Sequence, residues 1–356
     1  MPASAKSIWF TGFPGFLGAE LLPRLLAREP GAVARCLVQP KFAVLARERI
    51  AAMPEWAERI RVVEGDITAP IADDSSDVTE IYHLAAIYDL SVKRDLAVRV
   101  NVTGTANVLD FAERCPRLER VHYVSTCYVS GRHPGLFRES DLEVGQRFNN
   151  YYEETKYLAE VDVQRRMRSG LPTTIYRPAV VVGDSRTGAT QKFDGPYFVI
   201  QWLLRQPRYA VLPVVGNPSK YRFNVVPRDF ITNAIEYLSG RGESRGKVYQ
   251  LADPEPMTVD ETINAVASAT GRKVLRVPLP LSVAKGALDY VPGVYRLMRI
   301  PSASVDYFSH PTTYDTTNAQ ADLRGSALRL PRFSEYLPRL VEFVRAHPEI
   351  SGKAMA

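Results

Sequence analysis

The 356-residue sequence predicts an α/β protein, in which a doubly wound parallel sheet is followed by a smaller mixed α/β subdomain. Two observations lead to this prediction. In the first half of the chain, short apolar runs of strand length alternate with runs that have helical periodicity. After Gly183 that alternation stops, and Pro and aromatic residues become frequent. Repeated strand–helix alternation implies parallel strands with right-handed crossovers, which bind ligands at the carboxyl ends of the strands.

The predicted elements follow each other regularly in the first half. Strands are expected at Ser7–Phe10, Ala32–Val38, Arg61–Glu64, Glu80–Leu84, Arg120–Ser125 and Thr173–Tyr176. Helices are expected at Ala19–Leu26, Phe42–Ala52, Leu96–Ala112 and Tyr151–Met167. In the second half, Thr258 and Glu261 have capping-box spacing before a helix. Further helices are expected at Thr262–Ala269, at Leu281–Leu297 with a break at Pro292, and at Ser334–Ala346.

Composition and charge exclude several classes of protein. The chain is 46% hydrophobic, and no stretch approaches the roughly 18 apolar residues of a membrane span. Three widely spaced cysteines and five histidines without ligand spacing predict reduced thiols and no metal site. The first strand begins too early to leave room for a signal peptide, so a cytoplasmic protein is expected. The net charge of +6 fits a solvated basic surface or an anionic ligand, and no nucleic-acid module is present. The oligomeric state is left open.

A glycine cluster between the first strand and the first helix is typical of dinucleotide binding. Gly12 allows a tight turn, Gly15 lets the backbone approach a pyrophosphate, and Gly18 lets the helix pack closely against the strand. The phosphates would lie at the helix N-terminus, although a glycine-rich turn can also bind nothing. We therefore predict a Rossmann-type NAD(P)-binding domain at residues 1–185 and a substrate-binding subdomain at residues 186–356. Some later segments can return to the main sheet.

A tyrosine and a lysine form the second motif. Tyr152 and Lys156 lie four residues apart and so share one face of the predicted helix. A nearby ammonium favours the tyrosinate, so the pKa of Tyr152 is expected to be lowered towards the working pH, where the phenol can exchange protons. Tyr151 lacks this neighbour, because its fourth residue along is Thr155. An ordinary amphipathic helix is the alternative interpretation.

The glycine turn, a hydroxyl at the end of the fifth strand and the Tyr-x-x-x-Lys motif occur in the order that resembles the extended short-chain dehydrogenase/reductase superfamily. The resemblance covers about residues 7–190. It implies Thr126, Tyr152 and Lys156 as catalytic residues, with Ser125 packing and Asn101 bracing the backbone. It also implies the following cofactor-binding residues: Gly12, Pro14, Gly15, Phe16, Leu17, Gly18, Gln39, Lys41, Asp66, Ile67, Leu84, Ala85, Ala86, Lys156, Pro178 and Val181.

The residues after the second strand bear on the choice of cofactor. NAD enzymes usually carry an acid there, which would repel a 2′-phosphate, and residues 36–41 contain none. Similar proteins carry Arg where this chain has Gln39, so Lys41 or Arg35 is expected to supply the positive charge. NADPH is therefore favoured, with NAD as the alternative.

The glycine-loop sequence, together with residues 82–86, 123–126 and 182–188, is similar to the thioester reductase and fatty acyl-CoA reductase branch. This resemblance implies NADPH-dependent hydride transfer to an acyl-CoA or to an acyl group on a carrier protein, giving an aldehyde or an alcohol. Three alternatives stay open. They are a ketone or hydroxysteroid-type reductase or dehydrogenase, a sugar-nucleotide epimerase or dehydratase that uses NAD, and a non-catalytic dinucleotide-sensing regulatory protein.

Two features of the second half have two interpretations each. Five aromatic residues can line an acyl pocket or pack in the core: Tyr88, Phe193, Tyr197, Phe198 and Trp202. The stretch Leu279–Ile300 mixes apolar residues with arginines. Ordinary packing is the preferred interpretation of this stretch over contact with a membrane surface.

Overall fold

A parallel sheet of seven strands forms the centre of the computed structural model, which describes residues 6–292, 298 and 301–350. Across the sheet the strands are β11 (Val248–Leu251), β7 (Thr173–Pro178), β5 (Arg120–Val124), β4 (Glu80–His83), β1 (Ser7–Thr11), β2 (Val33–Val38) and β3 (Ile60–Glu64). The chain winds outwards from β1 in one direction and from β4 in the other. The predicted doubly wound parallel sheet is therefore confirmed, and β11 joins it from beyond the predicted boundary at residue 185.

Helices of the first half connect these strands. Their bounds are α1 (Gly18–Arg28), α2 (Ala43–Ala51), α3 (Arg94–Ala97), α4 (Gly104–Glu113) and α5 (Tyr151–Arg168). The single helix predicted at Leu96–Ala112 is wrong in detail, because a π-helical turn at Val98–Thr103 separates α3 from α4. A sequence pattern of 3.6-residue period cannot reveal such a turn, which depends on what its side chains contact.

The second half contributes short strands and further helices. The helices are α6 (Pro196–Leu204), α7 (Arg228–Ser239), α8 (Val259–Thr270), α9 (Leu281–Tyr290), α10 (Ser302–Val305), α11 (Thr317–Leu323) and α12 (Phe333–Ala346). The strands form three parallel pairs: β8 (Val180–Val182) with β10 (Val225–Pro227), β9 (Tyr209–Val215) with β12 (Lys273–Leu279), and β6 (Gly135–Phe137) with β13 (Thr312–Tyr314). The capping box at Thr258 and Glu261 is confirmed. The predicted helix Leu281–Leu297 ends at Tyr290, and most of its remainder lies outside the described residues.

A stack of aromatic rings crosses five adjacent strands on one face of the sheet. Its members are Phe10, Tyr82, His122, Tyr176 and Tyr249, and successive ring centroids lie 6.0, 4.2, 6.1 and 6.1 Å apart. All five side chains are buried, and all except His122 belong to the core that includes the apolar faces of α1 and α7. Burial lowers the pKa of His122, so its ring is uncharged between the tyrosines. The stack therefore fills the space between the sheet and these two helices without placing a charge there.

A fully buried ion pair ties α5 to the sheet. Arg177 on β7 and Glu160 on α5 have no exposed side-chain surface, and their closest N–O distance is 2.7 Å. Glu160 also accepts hydrogen bonds from Ser125 at 2.5 Å and from Gln164 at 2.9 Å. Arg177 also donates to the carbonyl of Asp141 at 2.8 Å. One pair thus joins the helix, two strand ends and the loop after β6.

We expect Arg177→Met to lower the free energy of unfolding by about 3–5 kcal/mol, because it leaves the Glu160 carboxylate buried without its cation. Arg165→Met, on the helix that carries Glu160, is the matched control. The Arg165 side chain is 65% exposed and pairs with Asp162, so its loss should change stability by less than about 1 kcal/mol. Denaturant unfolding of both variants measures the difference. Equal losses in the two variants would contradict the importance assigned to the buried pair.

Candidate active site

A cleft of about 500 Å³ opens at the carboxyl ends of the central strands. With the exception of Arg35, every residue predicted above to contact the cofactor or the reacting carbonyl lines this cleft. These residues come from the glycine loop, the ends of β2 to β5, helix α5 and the turn between β7 and β8. Parallel strands explain the convergence, because their carboxyl ends all lie at the same edge of the sheet.

In the loop between β1 and α1, a side chain at any of the three glycine positions would clash with neighbouring atoms. Gly12 has a φ of +94°, and a Cβ atom there would lie 2.8 Å from the Cβ of Leu84. A Cβ on Gly15 would lie 2.8 Å from the Gly12 carbonyl oxygen, and one on Gly18 would collide with the same oxygen. Helix α1 begins at Gly18 without a side-chain cap. The loop therefore fits a dinucleotide pyrophosphate, because bare backbone and the positive end of a helix face the cleft.

After strands β2 and β3, Gln39 and Asp66 line the cleft and are hydrogen-bonded to each other. The Gln39 amide donates to Asp66 Oδ2 at 2.8 Å, and Asp66 Oδ1 accepts from the backbone N–H of Thr68 at 2.9 Å. Asp66 therefore caps its own turn while lining the cleft. A carboxylate held in this way still faces the space where an adenosine would bind.

The two candidate cations for a 2′-phosphate behave differently. Lys41 lines the cleft, with its ammonium 4.9 Å from the ring centroid of Phe42. Arg35 does not line it, because its guanidinium pairs with Asp77 at 2.6 Å and Asp73 at 3.4 Å. The expectation that Arg35 supplies the charge is therefore wrong, since nearby acids hold its side chain elsewhere.

The hydroxyls of Thr126 and Tyr152 meet inside the cleft. Thr126 follows β5 and caps a 3₁₀ turn by accepting from the N–H of Tyr128 at 3.2 Å. Tyr152 lies in the first turn of α5, which Asn150 caps by accepting from the N–H of Glu153 at 3.0 Å. The two hydroxyls lie near each other, and both side chains are buried. A carbonyl oxygen placed between them would receive two hydrogen bonds.

Lys156 lies one turn further along α5 and is completely enclosed. Its ammonium donates to the Tyr123 hydroxyl and to the Val124 carbonyl, both at 2.9 Å. Burial lowers the pKa of Lys156 to about 7, although Glu160 opposes the shift. Burial raises the pKa of Tyr152, and only the hydrogen bond with Thr126 opposes that shift. The expectation that Lys156 lowers the Tyr152 pKa is therefore wrong here, because loss of hydration outweighs any attraction to the ammonium.

Buried polar groups support the cleft from behind. His83 lies between the hydroxyls of Thr11 at 2.8 Å and Thr105 at 3.0 Å, and burial lowers its pKa to about 3. Asn101 accepts from the N–H of Ile87 at 2.9 Å and donates to the Thr155 hydroxyl at 3.0 Å. Asn101 thus braces the loop after β4 against α5, which is the role that the family resemblance implies.

Sequence reasoning missed two charged residues that line the cleft near Tyr152. Lys192 and Asp194 both line it and pair at 3.0 Å. The Lys192 ammonium lies 4.4 Å from the ring centroid of Tyr88, and that ring meets Tyr152 edge-on at 5.0 Å. These residues lie in a loop without periodic pattern, so no local signal in the sequence places them beside Tyr152.

Only one of the five aromatic residues considered for an acyl pocket lines the cleft, and that residue is Tyr88. The side chains of Phe193, Tyr197 and Phe198 are buried in the hydrophobic cores of the second half. Trp202 donates its indole N–H to the Val211 carbonyl at 2.8 Å. The packing interpretation therefore holds for these four residues.

The cysteines are Cys36, Cys115 and Cys127, and all three are buried free thiols. Burial raises the pKa of each of them, so they are protonated and unreactive. In the part of the chain that the structure describes, no helix has the length and apolarity needed to cross a bilayer. Within the same residues, no three His, Cys, Asp or Glu side chains are grouped so that they could hold a metal ion.

Known proteins resemble this chain along most of its length. The sequence model of the male sterility protein family matches residues 10–235. The nonribosomal peptide synthetase asaC of Aspergillus flavus is 24% identical over 360 residues, covering 90% of this chain and 34% of that protein. The aldehyde reductase lnbA of the same species is 24% identical over 302 residues, covering 76% of this chain and 29% of that protein.

A solved structure is similar to the whole fold. The terminal R domain from the myxalamid PKS-NRPS biosynthetic pathway is 26% identical, with a TM-score of 0.82, and the match covers 99% of this chain and 94% of that one. The chain thus spans nearly all of that domain but about a third of each of the two curated relatives. The family match includes the glycine loop, Thr126, Tyr152 and Lys156. The chain therefore belongs to the male sterility protein family of extended short-chain dehydrogenases/reductases and is an NAD(P)-dependent oxidoreductase.

Proposed function

We propose that the protein reduces an acyl thioester with NADPH and releases an aldehyde or, after a second hydride, an alcohol. The observation that carries this proposal is the likeness to a terminal R domain along 99% of the chain, because the match extends through the half that is expected to bind substrate. A peptide synthetase and an aldehyde reductase among the curated relatives support the same chemistry. The thiol part of the substrate would be CoA or the phosphopantetheine of an acyl carrier protein.

The reaction needs a hydride, a proton and a leaving thiol. When bound, NADPH supplies the hydride to the carbonyl carbon, and cleavage of the C–S bond then yields the aldehyde and the thiol. The hydroxyls of Thr126 and Tyr152 bind the carbonyl oxygen as it gains negative charge, and the burial of both side chains strengthens these hydrogen bonds. Burial keeps the Tyr152 phenol protonated at neutral pH, so it is ready to donate a hydrogen bond or a proton to that oxygen.

Lys156 supports the site through its hydrogen bonds to the end of β5. Its donors to Tyr123 and Val124 hold the end of β5 against α5, which fixes the position of the neighbouring Thr126. The family resemblance also implies a hydrogen bond from Lys156 to the cofactor ribose. Because its pKa is about 7, an anionic ligand in the cleft would favour the charged form of this lysine.

A comparison of substrates tests the proposal. We expect the purified protein to oxidise NADPH when acyl-CoA or an acyl-loaded carrier protein is added, and to release free thiol. Ketones, hydroxysteroids and sugar nucleotides are the comparison substrates. If only ketones consume NADPH, or if sugar nucleotides are converted with bound NAD, the thioester proposal is wrong.

Replacement of the Tyr152 hydroxyl tests the chemical step. We expect Tyr152→Phe to lower kcat by about 10²–10⁴-fold, because the donor to the developing oxyanion is lost. The dissociation constant of NADPH should stay within about twofold, since the glycine loop is unchanged. Tyr151→Phe is the matched control, since the Tyr151 side chain is 46% exposed and does not line the cleft. Steady-state kinetics measures kcat, and NADPH titration measures the dissociation constant. Loss of cofactor binding in Tyr152→Phe would contradict the assigned role.

The cofactor preference depends on Lys41. We expect Lys41→Ala to weaken NADPH binding by about fivefold to tenfold and to leave NADH binding unchanged, because only NADPH carries the 2′-phosphate. Arg47→Ala is the control, since this exposed arginine pairs with Glu64 at 2.5 Å and lies off the cleft. Titration of both cofactors into each variant measures the effect. Equal weakening of NADPH and NADH would overturn the assignment of Lys41 to the 2′-phosphate.

A further inference from the structure

A buried serine without a hydrogen-bond partner lies on the substrate side of the cleft. Ser304, Tyr307 and Phe308 are spaced so that they share one face of the helical segment 302–309, and all three line the cleft. Ser304 is 5% exposed, and its Oγ has no partner among the described residues. Of the described side chains with such an orphaned atom, Ser304 alone lines the cleft.

The position of Ser304 relative to the reacting groups follows from Tyr307. The Tyr307 hydroxyl accepts from the Asn150 amide at 3.1 Å, and Asn150 caps the helix that carries Tyr152. The Tyr307 ring also meets Tyr128 edge-on at a centroid distance of 4.7 Å. Ser304 lies one turn earlier, about 5 Å along the helix axis, and lines the same cleft as the hydroxyls of Thr126 and Tyr152.

An orphaned hydroxyl in this place indicates a ligand. Buried side-chain polar atoms in folded proteins nearly always have a hydrogen-bond partner, because burial without one is unfavourable. In the middle of a core such an atom would simply be a defect. On the wall of the cleft, a bound substrate can supply the missing partner.

The neighbouring residues restrict the chemistry of that partner. Gln191 also lines the cleft and brings a neutral amide side chain to it. The charges of Lys192 and Asp194 compensate each other at 3.0 Å. The remaining wall there includes Phe223 and Phe308. Neutral hydrogen-bonding groups on an apolar wall fit an uncharged amide better than a phosphate or an unbroken alkyl chain.

We infer that Ser304 hydrogen-bonds an amide group of the substrate. The part of the cleft around Ser304 thereby selects amide-bearing thioesters over thioesters with plain alkyl groups. The inference rests on the proposed function for the identity of the reacting group. The amide can belong to the thiol part, as in pantetheine, or to the acyl part, as in a peptidyl group.

The test compares Ser304→Ala with Ser302→Ala, which removes a hydroxyl from the same helix at a half-buried position off the cleft. Three thioesters separate the sources of the amide: octanoyl N-acetylcysteamine, N-acetylglycyl butanethiol and octanoyl butanethiol, which has no amide. We expect Ser304→Ala to raise KM about fivefold for at least one amide-bearing thioester, with kcat and the amide-free substrate nearly unchanged. Which of the two amide-bearing substrates responds identifies the source.

An equal change in KM with and without the amide, or no change with either amide, would overturn the inference. Calorimetric binding of the unreactive thioether S-octyl-N-acetylcysteamine and of butyl octyl sulfide, with NADPH present, is measured in parallel. If the protein reduces no thioester but Ser304→Ala still weakens binding of the amide-bearing thioether alone, the proposed function fails and the amide site stands. If wild type and variant bind both thioethers equally and neither amide-bearing thioester shows a change in KM, the amide site is wrong whatever the reaction.

Discussion

The buried ion pair between Arg177 and Glu160 is the interaction on which the site most depends. Two charges removed from water are unfavourable unless their remaining donors and acceptors are also satisfied. Here Glu160 accepts from Ser125 and Gln164 as well, and Arg177 reaches backbone carbonyls of the loop after β6. The pair therefore sets how α5 lies on the sheet. Thr126 follows Ser125, and Lys156 lies one turn before Glu160. The ion pair therefore fixes the positions of Thr126 and Lys156.

Burial of Tyr152 and Lys156 determines the electrostatics of the cleft. It raises the pKa of the Tyr152 phenol and lowers that of the Lys156 ammonium to about 7. A protonated tyrosine beside Thr126 suits the donation of hydrogen bonds to an oxyanion, whereas a permanent tyrosinate would repel one. Because the pKa of Lys156 is about 7, a bound anion would favour the protonated form of this lysine. The site thus uses dehydration, in addition to neighbouring charge, to adjust its groups.

The cleft has two unlike sides. On the cofactor side, glycine backbone, strand ends and a helix N-terminus form a surface that is set by the parallel sheet. On the substrate side, loops and short helices contribute Lys192, Asp194, Ser304 and Tyr307. The first surface follows from the fold shared across the family, and the second depends on how the second half of the chain packs. The proposed substrate side therefore lies in the less regular part of the molecule.

The sequence by itself determined most of the sheet, the glycine loop and the Tyr152–Lys156 face, because each depends on local rules. Gly12 needs a positive φ, and residues four apart share a helix face. Apart from Lys156 on α5, the predicted cofactor residues lie at or close to strand ends, so the parallel topology was enough to bring those residues together. Only the tertiary structure decided how far burial shifts the pKa of Tyr152 and that acids hold Arg35 away from the cleft. It also decided that a π-helical turn interrupts the helix around Asn101, and that Ser304 lies unpaired on the cleft wall. Each of these depends on contacts between residues far apart in the chain, which no local pattern encodes.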